Sequence, residues 1–204
     1  MADSSSVPAS AQLSALATRL RGLPPSCGPV RLVGVDGHAG SGKTTFAAAL
    51  ARALGGAPVV HLDDLATHRQ LFDWTGRLRD EVLTPLAAGR TARHRVYDWD
   101  ARRFGGVREI PPAPVVLIEG VGAGRRAVRP RLALLAWMDL SAAAARARGE
   151  ARDGRELADF WEEWSAAEEA HFADDPSRPF ADILVDPTTS APHLHTYRSV
   201  CDRT

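Results

Sequence analysis

The sequence predicts an α/β fold, a parallel sheet covered by helices on both faces. Three observations carry that reading. Val30-Arg31-Leu32-Val33-Gly34-Val35 is an apolar run of strand length. It enters the glycine-rich turn Gly37-His38-Ala39-Gly40-Ser41-Gly42, and the chain continues from Lys43 to Leu54 with a helical, alanine-rich pattern. Further apolar runs at Val59–Leu62, Val115–Ile118, Leu132–Met138 and Ala181–Val185 alternate with helical stretches, the spacing that parallel strands need for their crossovers. Most of these runs end on an acid or on the glycine turn, and open α/β sheets hold their ligands at the carboxyl ends of the strands.

Length and composition bound the rest. A chain of 204 residues with 45% hydrophobic content can bury one sizeable core and is short for two. Residues 11–204 are therefore expected to form one domain behind a flexible Ser/Ala/Pro-rich stretch at 1–10. Lys plus Arg and Asp plus Glu balance at 25 each, so no global field draws the chain to nucleic acid or to a membrane surface. Any anion must be held by local groups. Cys27 and Cys201 lie far apart and outside metal-ligand spacing, as suits a reducing cytoplasm. The N-terminus lacks a basic start followed by an apolar core, and no apolar stretch is long enough to span a bilayer. A cytoplasmic location is expected, and nothing excludes a homo-oligomer.

Gly37 to Thr44 fits the pattern G-x-x-x-x-G-K-[ST] between a strand and a helix. In that context glycines let successive N–H groups face inward, the helix N-terminus adds its positive dipole end, and a polyphosphate finds a cradle running from Gly37 to Thr45. Lys43 would reach the β- and γ-phosphates, and the Thr44 hydroxyl would take a place on Mg²⁺. The string arises by chance in roughly one chain in a hundred of this length. Lys43 is moreover the only lysine present. Every other strong cation is arginine, so one compact ammonium stands where a flat guanidinium would not fit.

The other elements follow in order. Leu13, Leu16, Ala17 and Leu20 recur at helical spacing before Pro24-Pro25, which places a short amphipathic helix over one edge of the sheet. The second strand ends on Asp63-Asp64. Side chains alternate along a strand, so one of the pair faces the cleft. Asp63 is the choice for a carboxylate that accepts a proton from an attacking hydroxyl, with Asp64 orienting Mg²⁺ or a water. His68 to Leu78 has no clear period and reads as a mobile segment; its Asp73-Trp74-Thr75-Gly76 matches D-x-x-G but ends no apolar strand, and no N-K-x-D follows. Leu78, Val82, Leu83 and Leu86 mark a helix ending at Gly89. Arg93 to Phe104 mixes cations with Tyr97 and Trp99. That mixture suits either a surface that stacks on a base or sugar while Asp98 holds hydroxyls, or a solvated arginine-rich loop.

Glu119, at the tip of the clearest later strand and beside Gly120, suits a carboxylate that holds Mg²⁺ through water. Ser141 opens an alanine-rich helix carrying Arg146 and Arg148, followed by Arg152-Asp153-Gly154-Arg155. Residues 141–156 are expected to form a lid whose arginines neutralise a phosphoryl group in transfer. Phe160, Trp161, Trp164, Ala167 and Phe172 form an aromatic stripe, read as packing against the sheet.

In this order the Gly37–Thr44 turn, Asp63-Asp64, Tyr97-Asp98-Trp99, Glu119-Gly120, Arg152-Asp153-Gly154 and Ala181–Asp186 resemble the uridine kinase-like branch of the P-loop kinases. The resemblance spans about residues 30 to 186. It implies a three-layer sandwich around a five-stranded parallel sheet of order 2-3-1-4-5, and transfer of the γ-phosphoryl of Mg·ATP to a hydroxyl. By position it places Asp63 on the catalytic aspartate, Tyr97 on an aromatic of the nucleoside pocket, Arg148 and Arg152 on lid arginines, and Asp73 near the residue that holds the ribose hydroxyls. Uridine kinases follow their aspartate with Ser-Phe-Tyr, whereas Asp64-Leu65-Ala66 stands here. The acceptor therefore stays open between a nucleoside, a nucleoside monophosphate gripped by Arg93, Arg95, Arg102 and Arg103, and another hydroxyl metabolite; an ATP-binding regulatory protein is the alternative of another class.

Overall fold

The computed structural model describes residues 9–187 and the strand at 193–196. Five strands run parallel: β1 (Arg31–Asp36), β2 (Val59–His61), β5 (Val115–Glu119), β6 (Leu132–Met138) and β7 (Ile183–Asp186). Their order is β2-β5-β1-β6-β7. Counted among themselves this is the expected 2-3-1-4-5. A sixth strand, β8 (His193–Thr196), pairs antiparallel with β7 and had no counterpart in the sequence reading.

Alternation along these strands explains why both faces need cover. In β1, β5 and β6, Leu32, Val116, Ile118, Leu135 and Trp137 join one buried cluster, while Val33, Val35, Leu117, Leu134 and Ala136 join the other. Side chains of successive residues point to opposite faces, and both sets here are apolar, so each face must bury against helices. One face packs on α2 (Lys43–Ala53) through Phe46 and Leu50, with α1 (Ala9–Gly22) laid beside it through Leu16 and Leu20. Helix α1 begins at Ala9, so the stretch expected to be flexible to residue 10 is helical in its last two residues; its residues 1–8 lie outside those described. The opposite face packs on α3, a continuous helix over residues 75–87 that is π-wound at Leu78–Leu83 and buries Leu78, Val82, Leu83 and Leu86. It starts one turn before the expected Leu78, and Trp74, read as part of a mobile segment, is fully inside the core.

The arginine-rich stretch is not a loop but a largely exposed antiparallel hairpin of β3 (Ala92–Asp98) and β4 (Arg103–Ile110), outside the main sheet. Inward positions along β3 are Ala92, His94 and Tyr97, so the period of two holds to His94 and is broken by a register shift between Arg95 and Tyr97. Asp64 anchors this hairpin. Its Oδ2 lies 3.1 Å from Nε2 of the buried His94 and accepts from Arg108 Nη1 at 2.6 Å. Helices α4 (Ala142–Asp153) and α5 (Ala158–Asp174) complete the fold, with Ser141 Oγ capping α4 on the Ala144 amide. Among the described residues no helix is long and apolar enough to cross a membrane.

Asp64→Ala removes the shared acceptor of a buried imidazole and a half-buried guanidinium. It is expected to lower unfolding stability by about 1–3 kcal/mol, read as a shift of the denaturant midpoint. An unchanged midpoint would mean the hairpin is held by something else.

Candidate functional site

The site is assembled at the carboxyl ends of β1, β2 and β5. Their registers align Val35 with Glu119 and Glu119 with His61, so the loops leaving all three strands converge. Asp36, fully buried at the end of β1, accepts from the Gly37 amide at 2.7 Å, Gly122 at 2.9 Å and Gly124 at 2.8 Å. Three amides on one carboxylate tie the glycine turn to the loop after β5 and satisfy a buried charge that would otherwise be costly.

The turn that follows is shaped by its neighbours as much as by its own sequence. Gly40 has φ 84°, and a Cβ there would sit 2.1 Å from the Ala145 carbonyl oxygen of α4. Only glycine allows α4 to lie this close. Gly42, at φ 95°, caps α2 without any side-chain acceptor, and the first turn of α2 holds no acid. The helix N-terminus is thus left with open amides and an unneutralised dipole end. Lys43 Nζ donates to Gly37 O and His38 O, each at 2.9 Å, which holds the ammonium across the turn.

Above it lies a cleft of about 330 Å³ lined by Ala39, Gly40, Gly42, Lys43, Thr44, Thr45, Asp63, Glu119, Val121, Arg148, Gly149, Arg152 and Trp164. Solvent reaches Asp63 through the open mouth of the cleft, but protein surrounds it on the other sides. That desolvation first, and the Glu119 carboxylate second, push its carboxyl above the ordinary carboxylate range, against the pull of Lys43 and His61. Glu119 is buried; both its oxygens lie 3.3 Å from Thr44 Oγ1, and Oε1 lies 2.5 Å from His61 Nδ1. The bond to Glu119 raises the His61 pKa. A hydroxyl and a carboxylate facing each other are hard oxygen donors that fit Mg²⁺, which takes one or two protein oxygens and completes its shell with phosphate and water. Among the described residues no group of three or more His, Cys, Asp or Glu is placed to hold a metal by itself.

The predicted residues sort into three groups. Ala39, Gly40, Gly42, Lys43, Thr44, Thr45, Asp63, Glu119, Arg148 and Arg152 meet in the cleft. Gly37, His38 and Ser41 stand behind it: the first two carbonyls hold Lys43, the His38 ring packs edge-on against Trp137 and Phe172, and Ser41 is fully buried. Asp64, Asp73 and Asp98 are not part of it. Asp64 faces the hairpin; Asp73 is exposed and accepts from Gln70 Nε2 at 3.4 Å; Asp98 caps the hairpin turn by accepting from the Asp100 and Ala101 amides at 3.1 and 2.8 Å. Tyr97 and Arg102 line a separate cavity under that turn. Of the expected acceptor cations, Arg93 pairs with Glu109 across the hairpin and Arg95 stacks on Phe104 at 4.7 Å. Arg146 is tied to Glu150 at 2.6 Å and does not line the cleft.

Sequence reasoning missed Asp36, His61 and Glu168. Glu168 reaches from α5 to accept from the Ala39 amide at 2.7 Å and from His38 Nδ1 at 3.2 Å, so the aromatic helix grips the glycine turn as well as the sheet. An acid interrupting the apolar run just before Gly37 was a legible signal for Asp36; the other two carry none. Arg152, at the cleft, also forks onto Asp153 at 2.5 and 2.9 Å, while Arg148 makes no ion pair among the described residues.

Comparison with solved structures finds the same fold, the parallel sheet of this order, in two other proteins. A "possible uridine kinase" from Bacillus stearothermophilus superposes with a TM-score of 0.59 at 18% identity, covering 86% of this chain and 98% of the other. A "putative fructose transport system kinase" from Silicibacter sp. TM1040 superposes with a TM-score of 0.51 at 22% identity, over 81% and 89% of the two chains. Among curated proteins, the inorganic pyrophosphatase TTM2 of Arabidopsis thaliana is 30% identical over 115 residues, which cover 50% of this chain and 17% of that protein. This chain thus corresponds to a small part of that relative's length. No protein-family model matches the sequence.

Because the Asp63 carboxyl is raised in the folded state, its ionised form costs stability above that raised value. Asp63→Asn is expected to raise the melting temperature at neutral pH. The gain should shrink as pH falls through the raised value and vanish below the unfolded carboxylate value of about 3.9. Melting curves of both proteins across pH check this, and a variant less stable than the parent at pH 7 would refute it.

Proposed function

We propose that the chain is an ATP-dependent kinase that transfers the γ-phosphoryl of Mg·ATP to a hydroxyl of a small, nucleoside-like acceptor. The observation that carries this reading is the meeting of Lys43, Asp63, Glu119, Arg148 and Arg152 around one cleft above an open helix N-terminus. Amides from Gly40 to Thr45 cradle the polyphosphate, and Lys43 turns from the loop carbonyls to the β- and γ-phosphates. Thr44 and Glu119 would hold magnesium, which neutralises charge on those phosphates when bound. The cleft shares Gly42, Thr45 and Arg148 with an apolar recess of about 260 Å³ between Phe46, Met138 and Pro187, and the nucleoside end of ATP lies there.

Asp63 sits across the cleft from Lys43 and takes the proton of the attacking hydroxyl. Its raised carboxyl favours that step, since a base closer to the working pH holds the proton better. Residues 141–156 act as a lid on which Arg148 and Arg152 face the transferring group and spread its charge. Positioning and electrostatics supply nearly all the acceleration in this chemistry. Conversion of pyrophosphate, the activity in the name of the Arabidopsis relative, is the competing outcome.

The test is ADP formation from Mg·ATP with and without pooled hydroxyl metabolites, alongside phosphate release from pyrophosphate. ADP that depends on an added acceptor supports a kinase. ADP without acceptor supports an ATP-driven regulatory protein, and phosphate from pyrophosphate supports the hydrolase. Lys43→Ala should lose turnover by about 10³-fold or more, and Arg148→Ala by about 10²–10³-fold, with unchanged melting curves; retained turnover in Lys43→Ala would remove the phosphate-site assignment.

A further inference from the structure

A second cavity, of about 450 Å³, lies under the β3–β4 turn, bounded by His68, Arg69, Tyr97, Arg102 and Arg103 among others, and no carboxylate lines it. Among the described residues none of its three arginines forms an ion pair, whereas Arg93 and Arg108 of the same hairpin pair with Glu109 and Asp64. All three are exposed, so water and salt screen their mutual repulsion, and an oxyanion bound in the hollow would meet three guanidiniums at once. Arg102 adds an independent observation. Its φ is 52°, and it is the sole non-glycine residue with positive φ among those described. A left-handed backbone is cheap for glycine or asparagine and costs an arginine more, yet arginine stands there, next to the Asp100 and Ala101 amides that Asp98 caps. Arg102 thus lines the cavity at a position where turn formation alone would favour glycine.

The cavity shares no lining residue with the Asp63 cleft, and Trp99 links the two. The Trp99 indole Nε1 donates to Asp63 O at 3.2 Å, and the His68 ring lies 4.9 Å from the Trp99 ring. His68 Nδ1 is in turn 3.1 Å from the Tyr97 hydroxyl, so Trp99 and His68 form a continuous aromatic link between the Asp63 backbone and the hollow.

We infer that the acceptor is anionic: its end remote from the reacting hydroxyl carries a phosphate or carboxylate group, gripped by Arg69, Arg102 and Arg103. Guanidinium forks match both oxyanions, and a neutral nucleoside leaves them unused. This rests on the kinase reading above, which identifies Asp63 as the base.

The experiment uses the full chain saturated with magnesium and a non-hydrolysable ATP analogue, so that the polyphosphate cleft is filled. Ribose 5-phosphate, gluconate and neutral ribose are then titrated while tryptophan fluorescence is followed. The expected result is binding of the phosphate ester, the carboxylate or both, with ribose at least tenfold weaker, and with a loss of about tenfold or more for each of Arg69→Gln, Arg102→Gln and Arg103→Gln. Binding of ribose 5-phosphate alone assigns a phosphate; binding of gluconate alone assigns a carboxylate. Arg102→Gly, which relieves the backbone strain, keeps the variant series interpretable: it should melt no lower than the parent and still lose anion binding. Equal affinity for ribose and the anions, no anion binding, or anion binding untouched in the variants overturns the inference. Failure of the ATP analogue to bind overturns the kinase reading instead.

Discussion

An ammonium laid across the open end of a helix is the constraint to which the remaining structure conforms. Lys43 begins α2, and α2 begins with neither a capping side chain nor an acid to quiet its dipole. Such a terminus is unfavourable in isolation, with positive charge added to positive potential. The fold tolerates it because the loop carbonyls of Gly37 and His38 take up the ammonium, and because Asp36 and Glu168 hold the loop from two sides. The result is a concavity lined by open amides and one ammonium.

Around that concavity the charges are balanced by position. Asp63 and Glu119 face Lys43, Arg148 and Arg152 across a space a few residues wide, and the carboxylates disturb one another as much as the cations relieve them. The five stand on four supports: the start of a helix, a turn after β2, the tip of β5, and two positions one turn apart on α4. A single parallel sheet brings these together because all its strands end on the same side. Close approach of α4 to the glycine turn, permitted by Gly40, and of α4 to Trp161, permitted by Gly149, fixes the arginines over the loop.

The hairpin is the part of the molecule set apart from this scheme. It hangs on Asp64 by a buried histidine and an arginine, and its turn is stiffened by Asp98 and by the edge-on packing of Trp99 and Phe104 against Tyr97. The adjacent acids Asp63 and Asp64 thereby divide the work: one faces the cleft, and the other, pointing the opposite way, fastens the element that walls the neighbouring cavity.

What the sequence determined by itself was everything governed by local periodicity and by contiguous pattern. The strand, glycine turn and helix, the five apolar strands with their order implied by resemblance, and the helices at α1 and α4 follow from residues adjacent in the chain, because alternation, capping and positive φ are properties of short segments. Tertiary structure alone decided the rest. That Asp64 leaves the cleft, that His61 meets Glu119, that Glu168 grips a loop 129 residues away, and that Arg93 and Arg95 are spent on the hairpin while Arg102 and Arg103 are not, depend on contacts between distant segments. A polar side chain looks the same in the sequence whether it faces water, a ligand or another side chain, and only the packing of the whole chain assigns its partner.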